Sequence, residues 1–178
     1  MSDYGTIIAP GTIRFERLLP GPIERVWSFL VDSDKRGQWL ASGAMEPRAD
    51  ARFELTFHHA SLSPNVVPTP ERFKSFENGA TSRHRVTRAE PPRLLSFTWS
   101  ADAEAPSEVT FELEPVGDKV RLILTHRRLP SGEMVNTAGG WHTHLAILTD
   151  KLSGRTPPSF WTLFEGIEAE YGRRLGAP

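Results

Sequence analysis

A late helical stripe behind a run of alternating strands is the feature that most constrains this chain. Within Gly140-Trp141-His142-Thr143-His144-Leu145-Ala146-Ile147-Leu148, the apolar residues Trp141, Leu145 and Leu148 recur at three- and four-residue steps. Ala138 extends the stripe upstream and Leu152 extends it downstream. Such a stripe needs an apolar surface to cover. The preceding sequence supplies one in period-two segments: Phe53, Leu55 and Phe57; Leu95, Phe97 and Trp99; Val109, Phe111 and Leu113; Val120, Leu122 and Leu124. This is the alternation of antiparallel strands with one buried face. The two patterns predict an α+β fold in which an antiparallel sheet packs on one long helix.

The flanking segments fit that plan. Ile13, Phe15, Arg17 and Leu19 share one face of a first strand, which Pro20-Gly21-Pro22 ends. Ile23, Val26, Trp27 and Leu30 then form the stripe of a short helix. A second short helix is expected from Ser33, read as its N-cap, to near Trp39. Ser82 to Thr87 reads as a further strand, Val116-Gly117-Asp118 as a hairpin turn, and Ser61 to Pro70, with three prolines, as a loop. Gly154 is expected to stop the long helix. After Pro157-Pro158 a last stripe follows through Phe160, Leu163, Phe164, Ile167 and Tyr171. Gly139-Gly140 costs the long helix about 1 kcal/mol per residue relative to alanine, which implies close backbone packing or a bend there.

At 178 residues the chain is expected to form one domain, 1–178, burying roughly 70% of the surface of its unfolded form. It has no cysteine, which excludes disulfides, thiol nucleophiles and thiolate metal sites. A net charge of −1 with interspersed signs gives no broad basic surface, so nucleic acid is not an expected partner. The start lacks a basic and apolar leader pattern, and no stretch reaches the ~20 apolar residues of a membrane span. A cytoplasmic protein, with a homodimer possible, is the expectation.

Six histidines raise the question of metal or acid–base chemistry. Spacing argues against metal: His142 and His144 sit two apart on a helix, and the adjacent His58 and His59 point to opposite faces of a strand. No metal and no fixed cofactor are expected. By parity His59 continues the Phe57 face, His126 continues the Leu124 face, and His144 lies beside the Trp141 stripe, so the three can converge on one cavity. Each also reads as a half-solvated residue at the end of an element. Arg17 on an inward strand face demands a carboxylate, a carbonyl or an anionic ligand. Trp99 and Trp141 are the tryptophans expected in a pocket, with Trp27 and Trp161 in the core. Arg83-His84-Arg85 and His126-Arg127-Arg128 read as including solvated strand faces. There is no G-x-S-x-G, P-loop, G-x-G-x-x-G or H-E-x-x-H motif.

Several segments together resemble the START-like (SRPBCC) superfamily, in its bacterial branch named after the heat-shock protein 90 ATPase activator homologue. They are the strand before Pro22-Ile23-Glu24-Arg25-Val26-Trp27; Gln38-Trp39; Pro91-Pro92-Arg93-Leu94-Leu95-Ser96-Phe97-Thr98-Trp99; Leu124-Thr125-His126 before Leu129-Pro130; and Gly140-Trp141 through Leu148. They span almost the whole chain in order. The resemblance implies a helix-grip fold, a strongly curved antiparallel sheet wrapped around the long late helix with an apolar cavity between them, and an additional or bent C-terminal helix from Pro157.

The expected function is non-covalent binding of a small hydrophobic or amphipathic molecule. Its expected contacts are Arg17, Phe53, Leu55, Phe57, His59, Leu95, Phe97, Trp99, Phe111, Leu122, Leu124, His126, Trp141, His144, Leu145 and Leu148. Two alternatives stand beside it. One is a cyclase, dehydratase or hydrolase that uses a cavity histidine and Arg17; the other is a protein-binding or co-chaperone-like module whose core is filled by its own side chains.

Overall fold

A computed structural model describes residues 2–100 and 102–176. Seven antiparallel strands form one sheet in the order β1-β2-β7-β6-β5-β4-β3, with β1 at Thr6–Ala9, β2 at Thr12–Pro20, β3 at Arg52–Phe57 and β4 at Ala80–Glu90. The remaining strands are β5 at Leu94–Trp99, β6 at Ser107–Val116 and β7 at Lys119–Arg127. β2 crosses the sheet to pair with β7, so the first long strand and the last close one half of it, with Phe15 opposite Leu124 and Arg17 opposite Leu122. The inward sets read from the sequence hold, with Phe57 and Trp99 at the strand ends only partly buried, while Ser96 and Thr98 between the inward residues of β5 are buried as well. Phe53, Leu55, Leu95, Phe97, Val109, Phe111, Leu122 and Leu124 all point inward and are buried.

The long helix α3, Met134–Leu152, covers that inner face with Ala138, Trp141, Leu145 and Leu148. Helices α1, Ile23–Val31, and α2, Ser33–Gly37, close one end of the sheet, and α4, Phe160–Leu175, packs along the back of α3. Gly139 permits that packing, because a methyl on it would come within 3.2 Å of Glu168 Cβ and 3.3 Å of Phe164 Cε2. Gly140 is different. A methyl there meets nothing within 4 Å.

The structure departs from the sequence reading in several places. Asp32, not Ser33, caps α2: its carboxylate accepts from the N–H groups of Asp34 at 3.0 Å and Lys35 at 3.1 Å. Ser33 is instead the first residue of the helix, and its hydroxyl accepts from Gly43 N–H at 2.8 Å. The edge strand β1 was not anticipated, although Thr6-Ile7-Ile8 is β-branched and Pro10-Gly11 follows it as a turn. Part of the Ser61 to Pro70 loop is helical: His59–Leu62 is a 3-10 turn, and Glu71–Phe76 beyond the loop forms another.

Arg36 is a fully buried guanidinium that no sequence pattern flagged. Its Nε donates to Ala41 O at 3.1 Å, its Nη1 to Leu30 O at 3.1 Å and Val31 O at 3.2 Å, and its Nη2 to Gly43 O. It ties the ends of α1 and α2 to the segment entering β3. Burial lowers its pKa to about 10, against the pull of Asp32, so it stays charged at neutral pH.

Arg17 is the opposite case. It lies on the inward face of β2, buried, where burial lowers its pKa and Asp3 and Tyr171 partly restore it. Its Nη1 donates to the neighbouring Glu16 O at 2.8 Å, but its buried Nη2 has no partner among the described residues. A buried donor without a partner costs about 1–3 kcal/mol. Arg17→Met is therefore expected to leave stability unchanged or raise it by up to about 1 kcal/mol. A loss of several kcal/mol in urea unfolding would show that Arg17 has a partner in solution.

Candidate functional site

Between α3, the start of α4 and the ends of β3, β4 and β5, the core opens into a cavity of about 400 Å³. Phe57 and Trp99 form its sheet wall, Gly140, Trp141 and His144 its helical wall, and Phe160, Trp161 and Phe164 its far side. Phe73 and Phe76, from the second 3-10 turn, lie at its mouth. The rings brace one another: Trp99 and Trp141 have centroids 5.0 Å apart, His59 lies 4.4 Å from Phe160, and Phe73 stacks on Trp161 at 4.9 Å.

Local sequence explains why the space is there. β3 ends at Phe57, and the chain turns at His59–Leu62 rather than running on, so β3 supplies no side chain beyond Phe57 over this end of α3. Gly140 removes a side chain from the facing helix surface. The crossing segment is held open but fixed. Ser63 Oγ donates to Pro157 O at 2.6 Å, Arg72 pairs with Glu168, and the Arg72 guanidinium sits 4.4 Å over the Phe73 ring.

Of the residues expected to contact a ligand, Phe57, His59, Trp99, Trp141 and His144 line this cavity. Phe53, Leu55, Leu95, Phe97, Phe111, Leu122, Leu124, Leu145 and Leu148 do not; the sheet and α3 meet directly over them and fill the space with one another. Arg17 does not line it either, because it faces His142 and Tyr171 on the other side of α3. The two-residue spacing of His142 and His144 produces this split. The sequence puts Phe160 and Phe164 on a packing stripe and Trp161 in the core, yet all three also form a cavity wall. A helical stripe cannot tell a ring that meets a neighbour from one that meets a void.

His59 reaches the cavity by another route than strand parity. It opens the 3-10 turn and stacks against Phe57 at 6.2 Å, and its ring centroid is 5.9 Å from that of His144. Burial brings its pKa down to about 4, with His58 adding to the effect. His144 Nδ1 lies 2.7 Å from Trp39 O, and burial, then His59, lowers its pKa to about 3. His126 is buried beneath Trp141, not at a half-solvated strand end. Trp141 Nε1 donates to His126 Nδ1 at 2.9 Å, which leaves its Nε2–H to donate to Ser107 Oγ at 2.8 Å, and burial brings its pKa to about 3. His84 is likewise buried while Arg83 beside it is solvated, and its Nδ1 lies 2.8 Å from Thr98 O. Among the described residues, no group of three or more His, Asp or Glu side chains is placed to hold a metal ion.

These buried neutral histidines fix the direction of the protein's acid sensitivity. The folded pKa values of His126 and His144 lie below the unfolded value of ~6.5, so the folded state binds fewer protons than the unfolded chain. Their contribution is complete above about pH 6.5 and is lost as pH falls toward about 3. The slope is about 1.4 kcal/mol per pH unit for each histidine. Melting temperature should thus be level from pH 7 to 8 and fall between pH 6 and 4.5, before most carboxylates titrate. A level profile down to pH 4.5 would contradict the burial of these rings.

The comparisons with known proteins agree with this architecture. Residues 20–153 match the family model described as Activator of Hsp90 ATPase homolog 1-like protein. The solution NMR structure of the protein encoded by gene BPP1335 from Bordetella parapertussis is 48% identical, with a TM-score of 0.82 over 97% of this chain and 91% of that one. The crystal structure of CalU16 from Micromonospora echinospora is 21% identical, with a TM-score of 0.65 over 91% of this chain and 86% of that one. A conserved protein of unknown function, EF2215 from Enterococcus faecalis, is 18% identical, with a TM-score of 0.68 over 96% and 90% of the two chains. The last two share the fold. No curated protein matches the sequence. No helix among the described residues is long and apolar enough to cross a membrane. The chain belongs to the family of activator of Hsp90 ATPase homolog 1-like proteins and has its START-like helix-grip fold.

Proposed function

We propose that this protein binds a small hydrophobic or amphipathic molecule non-covalently in the cavity beside Gly140. The observation that carries this reading is the cavity of about 400 Å³, lined by aromatic rings in an otherwise filled core, and left open where a helix position has no side chain. Its size lies within the ~300–1,000 Å³ range of small-molecule sites. An open cavity also weighs against a module that uses its core only for packing.

A specific observation also favours the enzymatic alternative. His144 has the orienting partner that a general base needs, in the Trp39 carbonyl. The burial that brings its pKa to about 3 leaves it a weak base at neutral pH, so binding without chemistry is the better-supported reading.

The test combines native mass spectrometry of gently purified protein with Nile red fluorescence on the wild type and Gly140→Leu. The leucine enters the cavity and adds helix propensity of nearly 1 kcal/mol, so the variant should fold at least as stably as the parent. Nile red emission should rise with the wild type and fall about tenfold or more in affinity with Gly140→Leu. Equal binding by both proteins would place the probe elsewhere, and no binding by the wild type would count against the reading.

A further inference from the structure

We infer that the cavity selects uncharged, flat aromatic molecules bearing a hydroxyl or similar hydrogen-bond donor, because two of its polar atoms are locked as acceptors and no charged side chain among the described residues lines it. This rests on the binding reading above and narrows it to a ligand class.

The first acceptor is His144. A carbonyl oxygen can only accept, so the 2.7 Å contact with Trp39 O places the ring proton on Nδ1 and leaves a lone pair on Nε2. That Nε2 has no protein partner, yet it is not among the fully buried unpartnered atoms, so it is open to the cavity that His144 lines.

The second acceptor is Ser82, one step removed. Thr98 O takes the Nδ1 proton of His84 at 2.8 Å, which makes His84 Nε2 an acceptor. Ser82 Oγ lies 2.7 Å from that nitrogen and must donate its only proton to it. The approach of Ser100 N to His84 Nδ1, at 3.5 Å, is too long to reverse this order. Ser82 therefore turns only lone pairs toward the cavity it lines.

These two fixed acceptors come from β4 and α3, on different walls. The other polar lining groups, such as His59 and Thr137, can turn either a donor or an acceptor to a ligand, so they do not oppose the preference. Among the described residues, no Lys, Arg, Asp or Glu lines the space. A hydroxyl on a flat ring meets an acceptor there, whereas an ether of the same shape leaves it unpaired. A carboxylate brings negative charge against lone pairs with no cation to balance it. This departs from the anionic or carbonyl group that an inward Arg17 calls for, since Arg17 faces His142 and Tyr171 and does not line the cavity.

The test is isothermal titration at pH 7 with 2-naphthol, 2-methoxynaphthalene and 2-naphthoate, three ligands that share one ring system. 2-Naphthol should bind about tenfold more tightly than its methyl ether, the equivalent of one well-made hydrogen bond, and 2-naphthoate should bind most weakly. Ser82→Ala removes one of the two fixed acceptors, so it should shrink the ratio of naphthol to ether affinity severalfold. If that variant does not fold, the wild-type ratios decide. Equal affinity for naphthol and ether, or a preference for naphthoate, would overturn this inference and leave the binding reading standing. No binding of any of the three would overturn both.

Discussion

Trp141→Ala is expected to lower stability by about 3–5 kcal/mol, the usual result of truncating a large aromatic ring in a packed core. The ring is buried between Trp99, at 5.0 Å, and Phe111, at 5.8 Å, and its indole N–H is committed to His126 Nδ1. Truncation removes the apolar contact and also leaves a buried nitrogen acceptor unpaired. At roughly 2–4 °C per kcal/mol for a chain of this length, the melting temperature should fall by on the order of 10 °C. Trp141→Phe keeps most of the volume and loses the hydrogen bond, so its loss should be smaller. A Trp141→Ala shift of less than about 2 °C by calorimetry would mean that α3 does not pack on the sheet in this way.

Arg36→Met should be comparably severe, at about 3–5 kcal/mol. The substitution matches much of the side-chain volume, but it strands the carbonyls of Leu30, Val31, Ala41 and Gly43 at the junction of α1, α2 and β3. Arg36→Lys should recover little of the loss, because one ammonium cannot reproduce a planar fork that serves four acceptors. The informative comparison is with Arg17→Met. Both arginines are buried, but one satisfies four backbone acceptors and the other has an unpartnered nitrogen, so the same substitution should produce effects several kcal/mol apart. Urea unfolding of the two variants side by side checks this, and equal losses would contradict the hydrogen-bond accounting.

What was legible in the sequence follows the physics of periodicity. The inner faces of β3, β5, β6 and β7 and the stripe of α3 could be read directly, because a half-buried element repeats its burial at the period of its backbone. Strand parity turns His126 inward as expected, but it lies beneath Trp141 and outside the cavity, whereas His144, placed by its position beside the Trp141 stripe, lines it. Periodicity does not reveal where two apolar faces fail to meet. The early end of β3 at Phe57, the 3-10 turns and the bare Gly140 together open the cavity, and each acts through the tertiary arrangement rather than a local pattern. Most residues of the alternating strands were therefore placed correctly as inward-facing but lie in the packed core, outside the cavity.

Buried polar residues were the least legible. Arg36 sits in Ser33-Asp34-Lys35-Arg36, which reads as an exposed polar helix, and only the return of the chain at Ala41 and Gly43 surrounds it. His84 stands between two arginines, where charge masked its inward parity on β4. Its role depends on the alignment of Thr98 on the neighbouring strand, which a linear sequence does not display. Arg17 was correctly read as inward-facing. Which side of α3 it faces depends on helix rotation, which separates His142 from His144.

The central claim, a ligand cavity at the Gly140 end of α3, can be tested through the five indole N–H resonances of the tryptophans. Trp99, Trp141 and Trp161 line the cavity, whereas Trp27 is in the core away from it and Trp39 has its indole N–H bonded to Phe29 O at 2.8 Å. In a titration of ¹⁵N-labelled protein with 2-naphthol, the resonances of Trp99, Trp141 and Trp161 should shift together and saturate, and that of Trp27 should stay in place. Saturable movement of Trp27 without the cavity three, or no movement of any indole at millimolar 2-naphthol, would contradict the account.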